Sequence, residues 1–212
     1  MIHAHLWAWT TFFFLGAYHG INPAMGWLFA VALGLQKQNS RAVWQSLLPI
    51  ATGHVLAVGL VVLVAAFAGA VLPLYAMKIC VVVVLLGFGV YRIVSKGHPR
   101  WGGMQVGFRD LTLWSFLMAS AHGAGLMLLP VLLGMSAMGN SHETHTMNSS
   151  AIGVQFVAII IHTFGYLVLT GMIAWVVYKW VGISLLRKAW LNLDLVWAAA
   201  LIATAGITLL IY

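Results

Sequence analysis

Six apolar runs divide the chain, at roughly 6–34, 44–69, 73–95, 110–137, 151–178 and 191–211. About 20 consecutive apolar residues are enough to cross the hydrocarbon of a bilayer as an α-helix, so each run reads as a membrane span. The polar positions collect between the runs, in short connections except for Arg92–Arg109 and Gly139–Ser150. The first run has no basic leader and no small-residue cleavage pattern, and it carries His19 and Asn22 near its middle. It therefore reads as a span and not as a signal peptide. Nothing between the runs looks like a soluble unit. The expectation is an all-α, polytopic membrane protein, one domain over 1–212, multi-pass in the bacterial inner membrane with lipid as its surroundings.

Composition sharpens this. Apolar residues make up 63% of the 212 and charged residues only 6%, where a soluble domain carries about a quarter charged. Asp110, Glu143 and Asp194 are the only acids. A cytosolic enzyme, a secreted disulfide scaffold and a disordered chain are thereby excluded. The lone Cys80 excludes an intrachain disulfide and an all-cysteine metal site. A net charge of +7 would suggest nucleic acid in a soluble protein, but here the bases flank the spans, and no nucleic-acid partner is expected. Lys37, Arg41, Arg92, Lys96, Arg100, Arg109, Lys179, Arg187 and Lys188 follow the first, third and fifth spans, and Lys78 alone falls on the other side. Positive charge stays in the cytoplasm, so both termini are expected outside.

The chain echoes itself. Phe13-Phe14-Leu15-Gly16-Ala17-Tyr18-His19-Gly20 in the first span parallels Phe116-Leu117-Met118-Ala119-Ser120-Ala121-His122-Gly123 in the fourth. His54 in the second span has a counterpart in His162 of the fifth. Halves of about 6–95 and 110–211, three spans each, would insert in opposite orientations. That is the 3+3 inverted-repeat plan of many secondary transporters, which place the substrate where the repeats meet.

His19, His54, His122 and His162 all lie well inside their spans. Ionisable groups in the hydrocarbon cost about 2.5 kcal/mol or more and normally face a bundle interior or a water path. One buried histidine could be simple packing; four on four helices point to a shared site. In His19-Gly20-Ile21-Asn22-Pro23-Ala24-Met25, Pro23 removes the N–H that would bond the His19 carbonyl. A helix broken at Gly20–Pro23 is expected to free that oxygen beside the imidazole, with Asn22 one turn away and the Met25 thioether brought round by the kink. Imidazole with amide or thioether suits Ni, Co, Zn or Cu. The lack of a carboxylate deep in any span argues against Ca2+ or Mg2+ and against a carboxylate proton relay. On the outer side, His142 and His145 flank Glu143, and Met138 and Met147 frame them. This tract reads equally as a metal-capture loop or as a plain polar loop.

The segment Leu15-Gly16-Ala17-Tyr18-His19-Gly20-Ile21-Asn22-Pro23 resembles the first-helix motif of the nickel/cobalt efflux family, within the lysine-exporter superfamily of six-span inverted-repeat carriers, or a further bacterial branch of such membrane proteins. His19, Gly20 and Pro23 match that motif; Asn22 stands where an acid is usual and Met25 where a second histidine is usual. Ala51-Thr52-Gly53-His54-Val55 is similar to the family's second-helix histidine segment. The resemblance implies metal-ion movement across the inner membrane, with His19 and His54 as ligands.

The expected function is a secondary transporter of a late transition-metal cation, not an enzyme, working by alternating access through His19, His54, His122 and His162, with Asn22 and Met25 as helpers. Import or export and a homo-oligomeric state are left open. Two alternatives stand beside it: a haem b electron-transfer protein using paired histidines as axial ligands, and a carrier of a small organic or anionic solute held by the histidines with Thr52, Ser120 or Thr163.

Overall fold

The computed structural model describes residues 6–94, 107–138, 149–181 and 193–211, and every regular element among them is helical. The first run is a broken helix. α1 (Leu6–Ile21) stops at Asn22, a 3-10 turn covers Pro23–Met25, and α2 (Trp27–Gln36) continues the path. α3 (Ser40–Val71) and α4 (Leu74–Val94) are unbroken. The fourth run is broken as well, into α5 (Phe108–Ala121) and α6 (Leu128–Met138). α7 (Ser149–Val176) ends in a π-helical turn at Val177–Val181, and α8 (Leu193–Ile211) completes the described chain.

Three stretches, Ser40–Val71, Leu74–Tyr91 and Ile152–Trp180, are long and apolar enough to cross a membrane. They turn large apolar side chains outward: Leu60, Leu63 and Phe67 on α3, Val83 and Val84 on α4, Phe156, Ile160 and Phe164 on α7. Patches of this extent are not left exposed to water by a soluble monomer.

The two breaks have different causes. At the first, Asn22 takes an extended conformation, which the residue before a proline prefers. Its side-chain oxygen accepts from the Ala24 N–H at 3.0 Å and starts the 3-10 turn. At the second there is no proline. His122 closes α5, Gly123 adopts φ +68°, and the N–H groups of Gly123 and Ala124 return to the carbonyls of Ser120 and Ala119. This is the Schellman ending of a helix, for which glycine is the residue of choice. From the sequence, 110–137 is expected to be one continuous run; the His122-Gly123-Ala124-Gly125 segment interrupts it.

The helices pack mainly in three pairs: α1 with α7, α3 with α5, and α4 with α8. Small residues let the first two pairs approach backbone to backbone, as membrane helices do without a hydrophobic drive between them. A Cβ on Gly16 would collide with the His162 carbonyl, one on Gly165 with the Phe13 carbonyl, and one on Gly53 with the Thr112 carbonyl. In the third pair, the Lys78 ammonium donates to the Leu209 carbonyl at 3.3 Å.

Candidate functional site

The backbone contact of α1 with α7 and the packing of α3 against α7 bring three imidazoles together. The ring centres of His19 and His162 are 5.2 Å apart, those of His54 and His162 5.3 Å, and those of His19 and His54 6.1 Å. Exposure is 0% for all three and 1% for His122, which closes α5. His122 lies within electrostatic reach of His19. All four sequence-predicted histidines are therefore interior, and three of them share one cluster.

Ring contacts of about 4.5–7 Å are ordinary for packed aromatics, so spacing alone does not make a site. The hydrogen bonds add what spacing lacks. His19 Nδ1–H donates to the Leu15 carbonyl at 2.6 Å, His122 Nδ1–H to the Met118 carbonyl at 2.8 Å, and His162 Nδ1–H to the Phe12 carbonyl at 3.2 Å. A carbonyl can only accept, so Nδ1 carries the proton in each ring. A neutral imidazole then has its lone pair on Nε2. His19 and His122 make the same bond, each to the carbonyl four residues before it. His162 makes its bond across the α1–α7 contact. Metal-binding histidines are oriented in this way, with the non-ligating N–H given to a backbone carbonyl.

His54 differs. Neither of its nitrogens has a hydrogen-bond partner among the described residues. Its ring lies parallel to that of Tyr166, 4.0 Å away between centres and tilted by 10°. The His162 Nε2, the Asn22 Nδ2 and the Thr163 Oγ1 are also buried without a partner among the described residues. Buried polar atoms normally find partners, so this concentration of unmet groups on α1, α3 and α7 marks the cluster off from the surrounding core.

The break at Asn22–Met25 is held from the other half of the chain. Trp114 of α5 donates its indole N–H to the Ala24 carbonyl at 3.0 Å. The Tyr166 hydroxyl of α7 donates to the Met25 carbonyl and sits beside the hydroxyls of Ser115 and Thr170. Ser115 in turn donates to the Ile50 carbonyl of α3 at 2.6 Å. Gly20 lies against the α7 backbone, where an added Cβ would stand 2.7 Å from the Tyr166 carbonyl oxygen.

Several expectations are altered by these contacts. The His19 carbonyl is not freed by Pro23, because it accepts from the Asn22 N–H at 3.3 Å. The Asn22 oxygen is engaged as the cap of Ala24, so this residue offers the site an amide donor and not the expected amide oxygen. Met25 is buried at the break. Of the hydroxyls considered for a solute, Thr163 is buried, Thr52 bonds its own helix at the Leu48 carbonyl, and Ser120 is exposed. His142, Glu143, His145 and Met147 lie outside the described residues, as does the side chain of Met138. Tyr166, Ser115 and Trp114 were not expected from the sequence. The available signal was spacing: Tyr166 stands four residues after His162, on the same helix face.

The point equidistant from the three ring centres lies about 3.2 Å from each, close to the distance expected for an ion bound at about 2.0–2.1 Å by a ring nitrogen. The centres are thus suitably spaced, while the rings are not turned to it: among the described residues no three His, Cys, Asp or Glu side chains are set to hold a metal ion in this conformation. Because no hydrogen bond among the described residues fixes His54, its ring is the one able to turn at least cost.

Comparison with protein-family models, with curated proteins and with solved structures returned no match.

Proposed function

We propose that the protein is a secondary carrier that moves a late transition-metal cation through the His19–His54–His162 cluster, with His122 beside it, by alternating access. One observation carries the reading. His162 spends its Nδ1–H on the Phe12 carbonyl and keeps its Nε2 buried without a hydrogen-bond partner among the described residues, beside a His54 ring whose two nitrogens are likewise unmet there. Ring nitrogens that meet no donor among the described residues suit a Lewis acid.

The reading includes six spans in two inverted halves with both termini outside, in a bacterial inner membrane. The helix pairing supports it. Exchanging the halves turns the α1–α7 pair into α5–α3 and maps α4–α8 onto itself, and these are the three main contacts. The two breaks correspond too, each falling next to a histidine bonded to the carbonyl four residues back. Broken helices near the midplane are where inverted-repeat carriers bind their substrates. The first-helix resemblance to nickel/cobalt efflux carriers points the same way.

The haem alternative fits less well. A porphyrin needs a slot between its axial histidines, and here Tyr166 lies flat on His54 while α1 meets α7 through Gly16 and Gly165. The solute alternative loses two of its three hydroxyls, Thr52 and Ser120.

The test is ion flux into proteoliposomes holding the purified chain. Wild type is expected to carry a late transition-metal ion, and His54→Ala or His162→Ala to cut that flux at least about tenfold. Flux that persists in both variants would overturn the proposal.

A further inference from the structure

Tyr166 is fully buried and touches two parts of the site at once. Its ring lies flat on His54 of α3, with 4.0 Å between centres and a tilt of 10°. Its hydroxyl donates to the Met25 carbonyl in the break between α1 and α2. Gly26, at φ +156°, leaves that hydroxyl its place, since an added Cβ would stand 2.9 Å from it. One side chain thus joins a histidine that no hydrogen bond among the described residues fixes to the backbone of an interrupted helix.

The hydroxyl has a second acceptor on its own helix. Thr170 follows Tyr166 by four positions, on the same face of α7. Its Oγ1 stands beside the Tyr166 hydroxyl, buried and without a hydrogen-bond partner among the described residues. A buried hydroxyl is seldom left so. A swing of the Tyr166 O–H from the Met25 carbonyl to Thr170 would satisfy that oxygen and let go of the break, with no buried donor lost. The Met25 carbonyl would then be met by water as the break opens. Ser115, the other hydroxyl beside Tyr166, already makes a bond of its own to the Ile50 carbonyl at 2.6 Å. In the proposed repeat, where His54 answers to His162, the α3 residue in the place of Tyr166 is Val58, which has no hydroxyl. The second break receives no such tie from α3, so the two halves differ at this point.

We infer that Tyr166 is a positioning residue with two settings, holding the first break through the Met25 carbonyl or releasing it to Thr170, and that the His54 ring biases the choice. A turn of His54 out of the stack removes the face that keeps the Tyr166 ring in its holding position. The two settings rest on contacts made without any ion. Their use, as the link between an occupied site and an opened break, rests on the carrier reading above.

Amide exchange over Asn22–Ala30 in the purified full chain, without added metal, tests it, with the middle of α4 as the control. Tyr166→Phe keeps the stack and removes the tie, so exchange should accelerate about tenfold or more. Thr170→Val takes away the second acceptor and should slow exchange about threefold. The same Thr170→Val placed in the Tyr166→Phe protein should change nothing, because it acts through the missing hydroxyl. His54→Ala should accelerate exchange, and not beyond Tyr166→Phe when the two are combined. A Thr170→Val protein that exchanges faster than wild type, or is slowed equally in both backgrounds, would overturn the two settings. A His54→Ala change without effect, or one that adds in full to Tyr166→Phe, would overturn the link to the ring. Wild-type proteoliposomes that carry no transition-metal ion would overturn the carrier reading alone, since exchange is read without metal.

Discussion

At the scale of single residues, the cluster depends on glycines that carry no chemistry of their own. Gly16 lets α1 lie on the His162 carbonyl, which brings the Phe12 carbonyl within reach of the His162 ring. A methyl at Gly16 meets backbone, not a side chain that could swing aside, so the helices must part. Overpacking of this kind costs about 1–3 kcal/mol. Gly16→Ala is therefore expected to lower the thermal midpoint of the purified protein and to weaken ion binding with it. Gly59 and Gly87 serve as controls, because an added Cβ there meets nothing within 4 Å. Alanine at either should be neutral or stabilising by up to about 1 kcal/mol through helix propensity. A midpoint unchanged by Gly16→Ala would mean that the close α1–α7 contact is not what holds the rings together.

At the scale of elements, the two breaks decide where backbone and histidine meet. One was legible in the sequence and one was not, for a physical reason. Pro23 lacks an N–H and constrains the residue before it, so it announces a break by itself. The break after α5 relies on Gly123 at positive φ, and glycine is too common in membrane helices to announce a Schellman turn by its presence alone. The histidines were legible because an ionisable group in an apolar run is expensive and therefore rare. Tyr166 was not, since its importance comes from cross-chain contacts: a stack on His54 and a hydrogen bond to a carbonyl 141 residues earlier. Nor could periodicity reveal that the Asn22 oxygen is used up by Ala24. That contact depends on the local turn.

The same contacts yield a prediction for the first break. Tyr166→Phe keeps a ring to stack on His54 but strips the donor from the Met25 carbonyl, and Trp114→Phe does the same for Ala24. A buried carbonyl left unsatisfied costs about 1–3 kcal/mol, and every 1.4 kcal/mol is a factor of ten. Amide exchange over Asn22–Ala30 should accelerate about tenfold or more in either variant, while exchange in the middle of α4 stays as in wild type. Equal acceleration in both places would indicate general loosening of the bundle instead of a pinned break.

At the scale of the whole molecule, the fold packs α1 and α3 against α7 and so gathers rings that are far apart in sequence. The packing of α1 and α3 on α7 makes the cluster a product of contacts between early and late segments of the chain. In the proposed carrier, an ion held there would touch both halves of the proposed repeat at once, so a rocking of one on the other would change its exposure from one side of the membrane to the other. The central claim is that the three rings share one ion. X-ray absorption on the purified chain, loaded in turn with Cu(I) and with Zn(II) and washed to constant metal content, addresses it most directly. The account predicts one ion per chain for at least one metal, with a shell of nitrogen neighbours at about 2.0 Å that is lost in His162→Ala. No retained ion with either metal, or a shell of oxygen neighbours that His162→Ala leaves unchanged, would contradict it.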